Sequence, residues 1–278
     1  IGPDPASINA AMIGGIAANN ASGMCCGISQ NSYKTLKSMK LIFGDGTRLD
    51  TACTESKNAF KITHADFLKN LKEFSTSTIN NEDLRAKIER KFKIKNTCGY
   101  SLNALLDFDD VFEILEHLII GSEGTLAFIE EITYYTVEDL KDKASALIYF
   151  KDIKEACSAV TKLKLARDDK SIIVDAVELM DRAGLRSIEN DPAMPEYIKD
   201  FDENITALLI ETRATSDNEL DVQTKQFQDL LEEFNVVRDI YFTKDVSEYT
   251  LYWKIRKGLF PAVGAVRETG TTVIIEDV

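Results

Sequence analysis

Ile13-Gly14-Gly15-Ile16-Ala17-Ala18-Asn19-Asn20-Ala21-Ser22-Gly23 is unlike the rest of this 278-residue chain. It is built of small, uncharged residues, and Gly2-Pro3-Asp4-Pro5-Ala6-Ser7 precedes it. Residues this small let backbone N–H groups approach a phosphate or a flat ring without interference from Cβ. Asn19, Asn20 and Ser22 add polar side chains at the same place. A Rossmann fingerprint is a poor match, because no G-x-G-x-x-G is present and no strand visibly precedes the segment. A second stretch, Ile119-Ile120-Gly121-Ser122-Glu123-Gly124-Thr125-Leu126-Ala127-Phe128-Ile129, sets two glycines three apart between a helix end and a strand. That suits a loop whose backbone faces a ligand. Each stretch also has an ordinary alternative: a tight helix-packing turn for the first, a helix C-cap with a turn for the second.

Outward from these segments the pattern is mixed. Met39 to Phe43, the turn Gly44-Asp45-Gly46-Thr47 and Leu49 onward predict a β-hairpin, since Asp-Gly between apolar runs is a strong turn signal. A helix is expected from Thr63 as N-cap, with Phe67, Leu68, Leu71 and Phe74 on one face. Leu84, Ile88 and Phe92 continue at a spacing of four after Asn80-Asn81. Val111, Phe112, Leu115, Leu118 and Ile119 mark another helix, which stops at Gly121 before a strand over Leu126–Val137. The charged stretch Glu138 to Lys143 is the expected boundary between two domains.

Beyond it come a strand at Ala146–Phe150, a helix from Ile153 to about Leu165, and an unassigned stretch with Glu178-Leu179-Met180-Asp181. A loop at Asp191 to Pro195, a strand at Ala207–Thr212, a helix at Glu219–Phe234 and a strand at Val236–Phe242 follow. This alternation predicts a ferredoxin-like α+β unit. Ser247–Phe260 reads as helix and Thr271–Val278 as β-rich.

The net charge of −13 argues against nucleic acid, whose phosphates need clustered Lys and Arg. It also means that an anionic ligand needs its own local cation. No apolar run is long enough to cross a bilayer, so no transmembrane segment is expected. Five cysteines (25, 26, 53, 98, 157) show no C-x-x-C pair and read as reduced thiols of a cytoplasmic protein. Two histidines, His64 and His117, without an HxxxH-like cluster, leave no metal site and read as structural. Ile1-Gly2-Pro3 reads as the interior of a longer chain.

Together, P-D-P-A-S, I-G-G-I-A-A-N-N-A-S-G and I-I-G-S-E-G-T-L-A-F-I closely resemble the FAD-linked oxidases of the vanillyl-alcohol-oxidase type. Within that family they are most similar to D-lactate dehydrogenases, the glycolate oxidase flavin subunit and D-2-hydroxyglutarate dehydrogenases. K-N-T-C-G-Y-S-L-N-A-L at residues 95–105 and R-K-G-L-F-P at residues 256–261 point to the large members fused to an iron–sulfur region.

The resemblance implies an α+β fold. Residues 1–137 correspond to the second part of a two-part FAD-binding domain and residues 138–278 to a ferredoxin-like cap, with the remaining parts of both outside this sequence. It implies FAD held along a loop of Pro3, Gly14, Gly15, Asn19, Asn20, Ser22 and Gly23, and by Gly121, Ser122, Gly124 and Thr125, with Ile129 near the adenosine end. Ala127 stands where the family commonly has glycine, and its methyl group is expected to tighten that contact. Cys25 and Cys26 follow the flavin loop closely enough to approach it, although buried thiols are the commoner case.

The implied activity is oxidation of a small, D-lactate-like 2-hydroxy acid to the 2-oxo acid, with hydride passing to flavin N5 and electrons to a quinone, a cytochrome or the iron–sulfur region. The substrate carboxylate needs a cation, for which arginine's planar fork is best suited. By resemblance, Trp253-x-x-Arg256 assigns that role to Arg256, with Arg267 in reserve; a solvated Arg256 beside Lys254 and Lys257 is the plain alternative. A divalent metal and an iron–sulfur cluster are implied only for parts outside this sequence. The 278 residues alone are expected to fold at least partly, hold FAD weakly or not at all, and show no turnover. Location is expected to be cytoplasmic, peripheral to the inner membrane in respiratory members. Two other readings remain: an FAD- and NADPH-dependent reductase of peptidoglycan-precursor synthesis, and a non-catalytic interaction domain on the same fold.

Overall fold

The computed structural model describes all residues except 6, 24–26, 95, 97, 98, 191–193, 267, 268 and 272–278, and the backbone alone for 259–266. The chain divides into two compact units, residues 1–137 and residues 138–276.

The first unit contains α1 (Ile13–Asn19), α2 (Ser32–Thr35), β1 (Leu36–Ile42), β2 (Arg48–Asp50), α3 (Thr54–Thr63), α4 (Ala65–Asn80), α5 (Glu82–Lys91), α6 (Ala104–Asp107), α7 (Val111–Ile119) and β3 (Phe128–Tyr134). Its antiparallel sheet runs β2-β1-β3. The expected hairpin is present, with Leu41 opposite Leu49. Gly46 supplies the left-handed turn residue at φ +84°, and Thr47 N–H donates to Asp45 Oδ1 at 2.8 Å. Leu41, Leu49, Phe60, Phe112, Ile119 and Ile120 close the core between sheet and helices. Fully burying such a side chain stabilises by roughly 1.5–3 kcal/mol.

The helical region begins earlier than the apolar spacing predicts. Thr63 is not an N-cap but the last residue of α3, and its Oγ1 donates back to Ala59 O at 3.2 Å. Only Phe60 of α3 is buried, so the Thr54-Glu55-Ser56-Lys57-Asn58 turn carries no apolar stripe to announce it. On α4, Leu68 is buried, while Phe67 and Phe74 are exposed.

The second unit contains β4 (Asp142–Phe150), α8 (Ile153–Asp168), β5 (Ala176–Met180), α9 (Arg182–Ile188), a 3-10 turn (Glu196–Asp200), β6 (Thr206–Ala214), α10 (Asp217–Leu231) and α11 (Val246–Val266). Its antiparallel sheet runs β4-β6-β5. Helices α8 and α10 start at side-chain caps, Asp152 accepting from Glu155 N–H and Ser216 from Glu219 N–H. They cover one sheet face, where Ala146, Ile148, Phe150, Leu208 and Ile210 meet Leu163 and Phe227.

The stretch left unassigned in the sequence is β5 and the start of α9. Val236–Phe242, expected as a strand, does not form one. Among the described residues, 236–243 pair with the outer edge of β4 at the Phe150–Val236 and Ser145–Thr243 bridges alone. Between these points the Arg238 guanidinium lies 3.9 Å from the Tyr197 ring centre. With that reduced edge counted, the spatial order is edge, β4, β6, β5, and the chain order is the β-α-β-β-α-β of a ferredoxin-like unit. Thr272–Val278, the bulk of the expected β-rich end, lie outside the described residues, as do 191–193 of the expected loop.

Candidate functional site

The two small-residue stretches lie against each other in the first unit. Gly121 N–H donates to Ala17 O at 3.1 Å and Glu123 N–H to Ala18 O at 2.9 Å. Asn19 Nδ2 adds a bond to Glu123 Oε1 at 2.7 Å. Gly14, Gly15 and Asn19, expected in a loop, stand instead in α1, where Ile16 and Ala17 are small or compact enough to bury the helix. Asn20 ends that helix in the left-handed conformation, φ 54° and ψ 36°, with backbone N–H groups of the cap reaching Ala17 O and Ile16 O. Asp4 N–H donates to Ser22 O at 2.8 Å, which ties the segment after Pro3 to the helix exit. Ala17, Ala18 and Asn19 thus join the first stretch to Gly121 and Glu123 of the second, and Ile129 on β3 lies against Gly14.

The glycines do different jobs. A Cβ on Gly23, at φ +104°, would come within 2.2 Å of the Asp4 carbonyl carbon, so this glycine is needed for a chain crossing. A Cβ on Gly14 would come 3.3 Å from Ile129 O, a helix–strand contact. Gly15 and Gly124 face open space, with nothing within 4 Å of a would-be Cβ. Packing inside the unit therefore accounts for Gly23 and Gly14 but not for Gly15.

Two polar atoms of the same patch are sealed from solvent without a protein hydrogen bond: Asn20 Oδ1 and Ser122 Oγ. A buried polar atom left unpaired costs about 1–3 kcal/mol, so such a pair favours a ligand that satisfies it. Thr125 Oγ1 bonds to Ser122 O at 2.6 Å and to Tyr100 Oη at 2.9 Å, which braces the loop from outside. Ser101 Oγ donates to Ile120 O at 2.7 Å from within. Open glycine faces beside unsatisfied amide and hydroxyl groups fit the phosphates, ribityl chain and flat ring of FAD. The Ala127 methyl is buried in the hydrophobic core.

In the second unit the chemistry is ionic. On the sheet face away from α8 and α10, Ser145, Glu211 and Ala176 form one cross-strand row, and Leu147, Leu209 and Glu178 the next. Glu211 accepts from Ser145 Oγ at 3.1 Å and from Arg213 Nε at 2.7 Å. Trp253 of α11 donates from Nε1 to Ser145 Oγ at 3.3 Å. Arg256, one helical turn on, donates from Nε and Nη2 to Glu178 Oε2 at 2.9 and 2.7 Å. It is a half-buried, paired arginine rather than a solvated one. Asp175, whose Oδ2 accepts from Arg213 N–H, has its carboxyl raised above the usual range by burial.

Glu178, on the five-residue β5 among apolar neighbours, carries no site signal in the sequence, and neither do Glu211 on β6 and Ser145 on β4. The signal available was a single charge, Glu178, within the apolar run Ala176–Met180. His64 stacks on Phe60 at 4.1 Å and meets Asp45 at 3.1 Å, while His117 stacks on Phe108 at 4.0 Å and burial lowers its pKa. Cys53 and Cys157 are free thiols. Cys25, Cys26, Cys98 and Arg267 lie outside the described residues. Among the described residues no His, Cys, Asp or Glu group could hold a metal ion, and no helix is long and apolar enough to cross a membrane.

Comparison with known proteins adds to this geometry. Residues 140–278 match the C-terminal domain of FAD linked oxidases, and residues 1–52 match an FAD binding domain. A probable mitochondrial D-2-hydroxyglutarate dehydrogenase of Oryza sativa subsp. indica is 28% identical over 172 residues, covering 58% of this chain and 29% of that protein. The mitochondrial D-2-hydroxyglutarate dehydrogenase of Arabidopsis thaliana is 28% identical over 169 residues, 59% of this chain and 29% of that protein. An uncharacterized FAD-linked oxidoreductase of Mycobacterium tuberculosis is 33% identical over 111 residues, 40% of this chain and 24% of that one. Among solved structures, an alkyldihydroxyacetonephosphate synthase superposes with a TM-score of 0.56 at 16% identity, over 95% of this chain and 41% of that chain. That likeness shows the fold. The chain thus spans less than a third of the length of the curated relatives it matches.

Proposed function

This chain belongs to the FAD-linked oxidase family of the vanillyl-alcohol-oxidase type, whose cofactor is FAD, and on that premise we propose that it is part of a dehydrogenase of small 2-hydroxy acids. Residues 1–137 contribute one wall of the FAD cleft and residues 138–278 the cap over the substrate. Pro3, Gly14, Gly15, Asn19, Asn20, Ser22 and Gly23 line the wall on one side, and Gly121, Ser122, Gly124, Thr125 and Ile129 on the other. The observation that carries this is the joining of the two stretches by the Gly121–Ala17 and Glu123–Ala18 backbone bonds, beside the unsatisfied Asn20 Oδ1 and Ser122 Oγ.

FAD, when bound, supplies the hydride acceptor at flavin N5. Asn20 and Ser122 hydrogen-bond the cofactor, Gly15 and Gly124 let it approach the backbone, and Arg256 holds the substrate carboxylate. The substrate is D-2-hydroxyglutarate-like or D-lactate-like, and the electrons leave to a quinone, a cytochrome or an iron–sulfur region.

The test is anaerobic mixing of the purified full-length flavoprotein with D-2-hydroxyglutarate, D-lactate or glycolate. Bleaching of the flavin with one 2-oxo acid formed per flavin is the expected result. A colourless protein, or a flavin bleached by NADPH and by none of these acids, rejects it.

A further inference from the structure

We propose that Glu178 is a positioning residue, fixing the Arg256 guanidinium so that one edge of it stays open for a ligand carboxylate; this rests on the role given to Arg256 above. A guanidinium presents two forked edges, Nε with Nη2 and Nη1 with Nη2, and each can take a carboxylate. Glu178 occupies the first edge with a single oxygen, Oε2, at 2.9 and 2.7 Å. Nη1 has no hydrogen-bond partner among the described residues. The Nη1/Nη2 edge is therefore left unpaired among the described residues, and its direction is set by Glu178.

Two neighbours make this more than a surface ion pair. Trp253, on the same face of α11 as Arg256, is buried and donates to Ser145, so the rotation of the helix on the sheet is fixed. Glu178 is held in the row of Leu209 and Leu147 on the same sheet face. Both side chains of the pair are largely buried, with 22% and 18% of their surface exposed. An unrestrained arginine must give up rotamer freedom when it binds, and Glu178 removes that loss in advance. The arrangement also suits a chain of net charge −13. Long-range attraction of an anion is absent, and the paired arginine contributes no net charge, so selection rests on the fork's geometry at contact.

The experiment uses the full-length, FAD-loaded enzyme with D-2-hydroxyglutarate and D-lactate as probes, comparing Glu178→Ala, Glu178→Asp, Glu178→Gln and Arg256→Ala. Glu178→Ala is expected to raise KM about tenfold while kcat stays within about threefold and FAD content is unchanged. Glu178→Asp keeps the charge but withdraws the oxygen by one methylene, and is expected to raise KM several-fold. Glu178→Gln, which keeps an acceptor in place, recovers most of the wild-type KM. If Arg256→Ala raises KM but Glu178→Ala and Glu178→Asp leave it alone, the pair is only structural and the proposal is overturned. Should Glu178→Ala fail to fold, Glu178→Asp decides by the same criterion. Unchanged KM in Arg256→Ala instead removes the role of Arg256 itself, and wild-type enzyme whose flavin no 2-hydroxy acid reduces removes the function.

Discussion

The two units arrange polar groups in opposite ways. In residues 1–137 the proposed cofactor surface is backbone and small side chains, held by main-chain bonds between α1 and the loop after α7, with Asn20 Oδ1 and Ser122 Oγ left unsatisfied. In residues 138–276 the proposed substrate surface is a mixed sheet face on which two arginines already have carboxylate partners: Arg256 with Glu178, Arg213 with Glu211. A wall for a large, flat, phosphate-bearing cofactor needs close approach and open hydrogen-bonding capacity. A contact for a small anion needs one cation in a fixed direction. The difference follows from the size and charge of what each surface is suited to meet.

The largest expected effect tests how separate the two units are. Trp253 is the chain's single tryptophan and is buried in the second unit. Phe150→Ala, in the core of that unit with no exposed surface, is expected to cost about 3–5 kcal/mol, read as a lower urea midpoint in Trp253 fluorescence. Leu41→Ala in the first core should shift the same signal less; an equal shift would mean that the two units unfold as one.

Next comes Gly23→Ala. Its φ of +104° and the 2.2 Å approach to Asp4 predict a loss of about 2–4 kcal/mol in thermal unfolding, and an unchanged melting temperature would refute the crossing described above.

Glu116 gives an intermediate effect, dependent on pH. Burial in the first unit pushes its carboxyl from 4.5 up to about 7. The folded state therefore keeps a proton that the unfolded chain releases, and this contribution to stability, complete below 4.5, is lost as pH rises through about 7. Glu116→Gln should flatten that slope and stabilise the chain by about 1–3 kcal/mol above neutral pH; a parallel pH profile would contradict it.

The smallest effect sharpens the comparison most. Gly15 lies inside α1 with open space at its Cβ position. Gly15→Ala should stabilise the cofactor-free chain by about 0.4–1 kcal/mol while lowering the full-length protein's affinity for FAD. Stabilisation without any loss of FAD would remove Gly15 from the cofactor wall.

Much of the architecture was legible in the sequence. The Asp45-Gly46 hairpin, α7, α8, β6 and α10 all follow from apolar spacing and turn or cap residues, because one buried face and one wet face leave a period in the chain. Helix α3 and strand β5 were not legible, since one is mostly polar and the other too short to show a period. The expected strand at Val236–Phe242 is reduced to bridges at its two ends, because strand pairing depends on tertiary context more than on the segment's own residues.

For the candidate site, the sequence by itself determined residue types: small residues in two stretches more than a hundred positions apart, and an arginine three residues after a tryptophan. Only the tertiary structure decided that Ala17 and Ala18 take the amides of Gly121 and Glu123, and that Glu178 takes two donors of Arg256. Composition and period are local properties of a chain. A hydrogen bond between distant residues depends on folded distances and directions, and these exist only once the cores have closed.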